Sequence, residues 1–183
     1  DPVIEGWLPF RSVFDLLWNG RRHVVMMASQ IDRFGNHNFA CIGPHAKPKA
    51  QLLGMRGAPG NTINHATSYW VGNHSKRVFC PQVDIVSGIG WDKVDPDNPA
   101  YRFVNVFRVV TNLGVFDFNG PDHQMRAVSL HPGVDADQVA ENTSFEVHGL
   151  DSAATTRLPS GDEQKLIREV IDPKSLRDKE VKV

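Results

Sequence analysis

The run Arg108-Val109-Val110-Thr111-Asn112-Leu113-Gly114-Val115-Phe116-Asp117-Phe118 sets β-branched and aromatic residues on both sides of a tight-turn tripeptide. Such residues fit a pleated, half-buried surface, and Asn and Gly tolerate turn backbone. The run therefore predicts a strand, a reversal at Asn112-Leu113-Gly114 and a return strand. Ser129-Leu130-His131-Pro132-Gly133-Val134 predicts a further strand and turn, and a short capped helix follows toward Glu141-Asn142-Thr143-Ser144-Phe145. Phe103 to His131 thus reads as a β-meander. Periodicity alone leads no further than a soluble α/β domain.

Upstream, Phe10, Val13, Phe14, Leu17 and Trp18 recur at helical spacing over residues 9–19, with Gly20 as C-cap. His23-Val24-Val25-Met26-Met27-Ala28 is a short continuous apolar run, the pattern of a strand buried on both faces of a parallel sheet. Gln30-Ile31-Asp32 with Gly35-Asn36-His37-Asn38 reads as a strand exit and turn, Gly35-Asn36 permitting positive φ. Prolines and glycines punctuate a loop from Gly43 to Gly60. A helix or turn over Thr62–Tyr69 leads to predicted strands Lys76–Cys80 and Val83–Val86, and Asp92–Pro99 is a surface turn. Asp135 caps a helix through Val139. Pro159-Ser160-Gly161-Asp162-Glu163 opens a last helix with Leu166, Ile167, Val170 and Ile171 on one face, which Asp172-Pro173 ends. The charged tail Lys174–Val183 is expected along a surface or a partner. With no repeat and no linker, residues 1–183 read as a single α/β domain. The start at Asp1-Pro2, without an initiator methionine, is that of a fragment, a processed chain or a chain lacking its true beginning, and an amino-terminal part is expected to be missing.

Composition excludes several classes of function. The chain has 183 residues, long enough to bury a core without disulfides or metal. With 20 basic and 21 acidic residues its net charge is −1, so no surplus of cations tracks a nucleic-acid backbone. No apolar run approaches the ~20 residues that cross a bilayer, and the amino terminus has no signal-peptide pattern. Cys41 and Cys80 read as reduced and buried, and a reducing cytoplasm is the expected compartment. The sequons at Asn73 and Asn142 therefore read as accidental. The eight histidines are scattered and form no metal-binding spacing, so no metal is expected. No Gly-x-Ser-x-Gly elbow, Walker loop or dinucleotide fingerprint occurs. Trp7, Trp18, Trp70 and Trp91 are expected in packing or subunit contact.

The candidate chemistry centres on Arg56-Gly57-Ala58-Pro59-Gly60-Asn61-Thr62. Small residues let main-chain N–H groups approach a ligand oxygen, and a glycine loop before a helix can stabilise developing oxyanion charge. The possible donors are Gly57, Ala58, Gly60, Asn61 and Thr62, never Pro59, which has no N–H. The competing reading is an ordinary turn. Asn61, Asn64, His65 and Ser68 share one face if Thr62–Tyr69 is helical. They would then form either a substrate-binding polar cluster or a solvated helix start capped by Asn61. His65 is also an acid–base candidate, although a lone histidine is more often structural. Gln30 and Asp32, at a strand exit, are possible pocket residues, against the stronger alternative of turn capping.

Taken together, Gln30-Ile31-Asp32, the glycine loop, Val109–Phe118, Leu130–Val134 and Pro159–Arg177 resemble the β subunits of class I coenzyme A-transferases. That resemblance implies an open, mainly parallel sheet flanked by helices. It also implies an acyl-CoA thioester substrate, no covalently bound cofactor, and an α subunit as partner in an α2β2 assembly. Gly57 and Gly60 match the first and last glycines of the family's Gly-x-Gly-Gly loop, which faces the thioester carbonyl, while Pro59 replaces the middle one. Transferases of this class use a glutamate nucleophile in a Ser-Glu-Asn-Gly motif. None of Glu5, Glu141, Glu146, Glu163, Glu169 and Glu180 sits in that context. Either the motif lies upstream of Asp1, or the chain belongs to a branch without it.

The second explanation is favoured. Arg56–His74 and Val94–Phe103 are similar to the branch of the family that opens the last steroid ring in bacterial cholesterol catabolism. There, water adds to the ring ketone of a cyclic β-keto acyl-CoA and a carbon–carbon bond breaks in the retro-Claisen sense. The acid–base glutamate of that branch belongs to the α subunit. The resemblance thus implies no catalytic residue in this chain, which would supply pocket walls and backbone donors. A true transferase β subunit and a non-catalytic acyl-CoA-binding subunit are the alternatives.

Overall fold

The computed structural model describes residues 6–18 and 22–179. In chain order its elements are α1 (Phe10–Trp18), β1 (His23–Met27), β2 (Gln30–Ile31), β3 (His37–Asn38), β4 (Cys41–Ile42) and β5 (Ala50–Gln51). They continue with α2 (Ala58–Asn64), β6 (Ala66–Val71), β7 (Asn105–Thr111), β8 (Gly114–Asp117), β9 (Arg126–Leu130), α3 (Ala136–Glu141), β10 (Ala154–Thr155) and α4 (Gly161–Lys165).

A six-stranded sheet runs in the order β1-β6-β7-β8-β9-β10. β1, β6 and β7 are parallel, β7, β8 and β9 form the antiparallel meander, and β10 returns parallel to β9. The mainly parallel, helix-flanked class and the meander both match expectation. The hairpin closes as its turn residues require: Thr111 Oγ1 accepts the N–H groups of Leu113 (3.0 Å) and Gly114 (3.2 Å). Alternate side chains, including Tyr69, Val71, Val106, Val109, Phe116 and Ala127, enter one core with Phe79, Met125 and Val139. The cap predicted at Asp135 forms, and the last helix opens within Pro159–Glu163 as predicted. Asp135 and Ser160 each make a reciprocal capping box, with Gln138 and Glu163 respectively. Gly35 has φ +87°, as the turn at Gly35-Asn36 required.

Several expectations fail. β1 is an edge strand buried on one face only, with Val25 67% and Met27 58% exposed. Here a continuous apolar run marks a one-sided strand. Thr62–Tyr69 is not a helix. α2 starts earlier, at Ala58, and ends at Asn64, and the aromatic and β-branched residues Thr67, Tyr69, Trp70 and Val71 extend into the central strand β6. Neither Lys76–Cys80 nor Val83–Val86 forms a strand. Val78 and Phe79 give their N–H groups to Ser75 O, leaving a single bridge between Phe79 and Ile31. Gly43–Gly60 is not all loop, since β5 pairs with β4 and α2 opens within it. The last helix passes from α4 into a π-helical segment, Leu166–Ile171, whose Leu166, Val170 and Ile171 are at least half exposed. Gly20, Glu5 and Glu180 lie outside the described residues.

Candidate functional site

The predicted glycine loop is the start of α2. Gly57 is the N-cap, Pro59 occupies the first turn, and Asn61 N–H donates to Gly57 O at 3.0 Å as the first full helical bond. The N–H groups of Ala58 and Gly60 precede that bond and so have no acceptor within an α-helix. α2 leads directly into β6 and its first turn reaches the distal half of β1, where Asn61 Nδ2 meets Met26 Sδ at 3.4 Å. This puts the start of α2 beside the carboxyl end of β1, the edge at which open α/β sheets hold ligands. Gly57, Pro59, Gly60 and Asn61 are half-buried, while Ala58 is 2% exposed.

Two close contacts hold this corner. A Cβ on Gly54, in the turn before α2, would lie 2.5 Å from Phe39 Cβ. A Cβ on Gly88 would lie 2.0 Å from His37 Cε1 and 2.8 Å from Thr62 Cγ2. Phe39 N–H in turn donates to Ser87 Oγ at 2.8 Å. Glycine at both positions lets β3 and the loop after it seat against α2.

The other predicted residues are placed less as a cluster. Asn64 Nδ2 donates back to Gly60 O at 2.8 Å, and Asn61 O accepts His65 N–H at 3.1 Å. His65 is the C-cap of α2, eight residues from Gly57 and so roughly 12 Å along the axis at ~1.5 Å per residue. Its ring is buried, neither nitrogen has a hydrogen-bond partner, and burial lowers its pKa. Ser68 leaves this group for β6, where its hydroxyl meets His23 Nε2 at 2.8 Å.

Gln30 and Asp32 are engaged in the fold. Asp32 Oδ1 accepts the N–H groups of Phe34 and Asn36, both at 3.0 Å, and Oδ2 accepts Asn36 Nδ2 at 2.9 Å. Burial raises its pKa against these bonds. Gln30 Oε1 accepts Asn38 Nδ2 (2.7 Å) and Asp84 N–H (3.0 Å), and Gln30 Nε2 donates to Asp84 Oδ2 (3.1 Å). Turn-capping bonds account for Asp32, whereas Gln30 is held by bonds across the chain to Asn38 and to Asp84, 54 residues away.

Sequence reasoning missed three buried polar sites. Tyr69 Oη and His37 Nδ1 are 2.7 Å apart, both residues are fully buried, and His37 Nε2 has no partner. Burial pushes His37 down to about 4 and Tyr69 well above its ordinary value, with the Asp32 carboxylate adding to the latter. His74 stacks on Phe79 at 3.7 Å between rings. Its Nε2–H donates to Thr143 Oγ1 (2.9 Å), since that hydroxyl already donates to Val139 O (2.8 Å), and its Nδ1 accepts from Thr111 Oγ1 (3.1 Å). Burial pushes His74 to about 4 as well. Asp117, 1% exposed, accepts from Arg108 (2.9 Å), Arg126 (2.8 and 3.1 Å) and Asn119. Burial alone would raise its carboxyl, but Arg126 and Asn119 outweigh that and hold it at about 2. Apart from Asn119, two residues from Asp117, these partners come from other strands or loops and have no local sequence signal.

Cys41 and Cys80 are free and buried, and burial pushes the Cys80 thiol up to about 11, away from thiolate chemistry. Among the described residues no group of three or more His, Cys, Asp or Glu is arranged to hold a metal ion, and no helix is long and apolar enough to cross a membrane. Trp91 Nε1–H donates to Val106 O at 3.1 Å, which is packing duty, whereas Trp7 is 85% exposed.

No protein-family profile matches the chain. The cholesterol ring-cleaving hydrolase IpdB subunit of Mycobacterium tuberculosis (strain ATCC 25618 / H37Rv) is 69% identical over 179 residues, covering 98% of this chain and 72% of that protein. The crystal structure of Rhodococcus jostii RHA1 IpdAB matches with a TM-score of 0.94 and 67% identity, over 98% of this chain and 72% of the matched one. Glutaconate coenzyme A-transferase from Acidaminococcus fermentans matches with a TM-score of 0.80 and 28% identity, over 91% of this chain and 66% of its own. At that level of identity across nearly its whole length, the chain belongs to the IpdB family of cholesterol ring-cleaving hydrolase subunits, a branch of the coenzyme A-transferase β subunits.

Proposed function

We propose that this chain is the β subunit of a two-component hydrolase that opens the ring of a cyclic β-keto acyl-CoA derived from a steroid. The observation that carries the reading is the 69% identity over 98% of the chain to an IpdB subunit, against 31% over 150 residues to a subunit of glutaconate CoA-transferase. An IpdA-type α subunit is the partner, in an α2β2 assembly acting in the cytoplasm. The substrate is a coenzyme A thioester, and no metal takes part.

Carbon–carbon cleavage of this kind adds water to the ring ketone and expels an enolate whose charge rests on the thioester oxygen. Backbone N–H groups at a half-buried helix start can stabilise that charge. Ala58 and Gly60 are the proposed donors, Gly57 permits close approach, and Asn61 and Asn64 fix the turn. His65, at the far end of α2, is assigned no contact with the reacting atoms. What supports the assignment is the position of α2's start at the carboxyl end of β1 and the absence of intrahelical acceptors for these two N–H groups. The base that activates water is assigned to the partner. Of the glutamates in the described residues, Glu163 is paired with Arg157, Glu146 lies 3.6 Å from His148, and Glu141 and Glu169 are exposed.

The test is reconstitution. Co-purified with its α subunit, the chain should hydrolyse the cyclic β-keto acyl-CoA, and alone it should not. Transfer of coenzyme A to a carboxylic acid, with a glutamyl-CoA adduct trapped by borohydride, would replace this reading with the transferase one.

A further inference from the structure

A cleft of about 270 Å³ lies where two neighbouring parallel strands end: Ser29 follows β1 and Asn73 follows β6. Ser29, Asn73, Ser75 and Arg77 give it one polar wall, and Leu52 and Val78 contribute an apolar one. All four polar side chains can donate hydrogen bonds. Among the described residues none of the four makes a side-chain hydrogen bond or an ion pair, although Ser29 and Ser75 are half-buried. Asn73 and Arg77 are exposed to solvent, whereas the buried Asp117, Gln30, Asn36 and His74 all have hydrogen-bond partners within the chain. Exposed Lys49 and Lys76 adjoin the cleft in sequence, next to Ala50 and Arg77. The nearby Asp84 carboxylate is taken up by Gly43 N–H (2.7 Å) and Gln30 (3.1 Å).

Hydrogen-bond donors lining one cleft together with an unpaired guanidinium are the chemistry that recognises a phosphoryl group. The cleft also shares the carboxyl edge of β1 with the start of α2, which Leu52 precedes in the chain by a few residues. We propose that this cleft is the subsite for a phosphoryl group of the coenzyme A carrier, with Arg77 as its cation and Ser29, Asn73 and Ser75 as neutral donors. This assignment rests on the acyl-CoA reading above and adds to it the place where the non-reacting end of the substrate is held. Binding energy gathered there positions the thioester without touching it.

The experiment measures coenzyme A binding to the assembled two-subunit protein by calorimetry, and pantetheine, which lacks the phosphates, by NMR titration. Arg77→Ala should weaken coenzyme A roughly tenfold or more, as loss of a charge-assisted hydrogen bond does, and leave pantetheine unchanged. Arg77→Lys should recover part of the loss, and coenzyme A affinity of the wild type should fall with added salt. Ser75→Leu, which fills the cleft without removing charge, provides a second variant should Arg77→Ala not assemble, and should weaken coenzyme A similarly. Wild-type affinity for coenzyme A in both Arg77→Ala and Ser75→Leu overturns the subsite while leaving the acyl-CoA reading intact. Equal weakening of both ligands also overturns it. Failure of the wild-type complex to bind coenzyme A at all sinks the acyl-CoA reading, and the subsite with it.

Discussion

Acid should destabilise this protein well above the pH at which its carboxylates titrate, and two histidines are the reason. His37 and His74 are held at about 4 by burial, against an ordinary 6.5 in the unfolded chain. Between those values the unfolded state binds protons that the folded state refuses, so stability falls as pH drops through 6.5 toward 4. From pH 8 to pH 5, two such pKa values imply a loss of about 2 kcal/mol per histidine, or about 4 kcal/mol for the pair. That is a large part of the ~5–15 kcal/mol that holds a typical domain together. His65, also lowered by burial, acts in the same direction. Asp32, raised by burial, acts oppositely, because its unfavourable ionisation is relieved as pH falls. Asp117, held at about 2, keeps its contribution down to its unfolded value near 3.8 and loses it only below that. Urea unfolding of the assembled protein between pH 8 and 5, with imidazole nitrogen shifts followed by NMR, checks both the slope and the residues. A flat unfolding free energy over this range, or a His74 ring that protonates near 6.5 in the folded protein, would refute the reasoning.

Three further outcomes follow from the geometry. Gly88→Ala should cost about 2–4 kcal/mol in denaturant unfolding, since its Cβ would sit 2.0 Å from the His37 ring and displace it from Tyr69. Gly57→Ala meets only Asn61 Nδ2, at 3.9 Å, in a right-handed conformation, so stability should change by less than ~0.5 kcal/mol. Ring-opening by the assembled enzyme should nevertheless fall ~10-fold or more if substrate approaches that backbone, and unchanged kcat/KM would exclude such an approach. Asp117→Asn removes the carboxylate between Arg108 and Arg126 and should destabilise by about 3 kcal/mol at neutral pH, read as a lower urea midpoint with unchanged slope.

The parts of the fold legible in the sequence are those with a local cause. Thr111-Asn112-Leu113-Gly114 carries its own turn chemistry, and Asp135 and Ser160 carry their capping boxes three residues downstream. β1 departs from expectation because burial on one face and on two look alike in a five-residue apolar run. β6 is hidden because polar Asn61–His65 and Ser68 mimic one helix face, although Thr67, Tyr69, Trp70 and Val71 favour a strand. The boundary falls at His65, whose backbone turns extended after α2. The pairs His37–Tyr69 and His74–Thr143 are separated by 32 and 69 residues, and only the sheet brings them together.

The same distinction between local and assembled features explains how the candidate site is built. α2 has seven residues, too few to hold its own shape in water, where isolated helices below ~12 residues are marginal. Its start must be fixed from outside, and the structure supplies that through Phe39 against Gly54 and through His37 and Thr62 against Gly88. His37 serves in this role only while neutral, because a charged ring there would be buried without a counter-ion. The buried histidine and the helix start are therefore coupled. Acid that protonates His37 should release the corner that carries Ala58 and Gly60 along with the global fold. A pH-dependent loss of activity that precedes unfolding would locate the weak point at this corner, and simultaneous loss would place it in the core around His74.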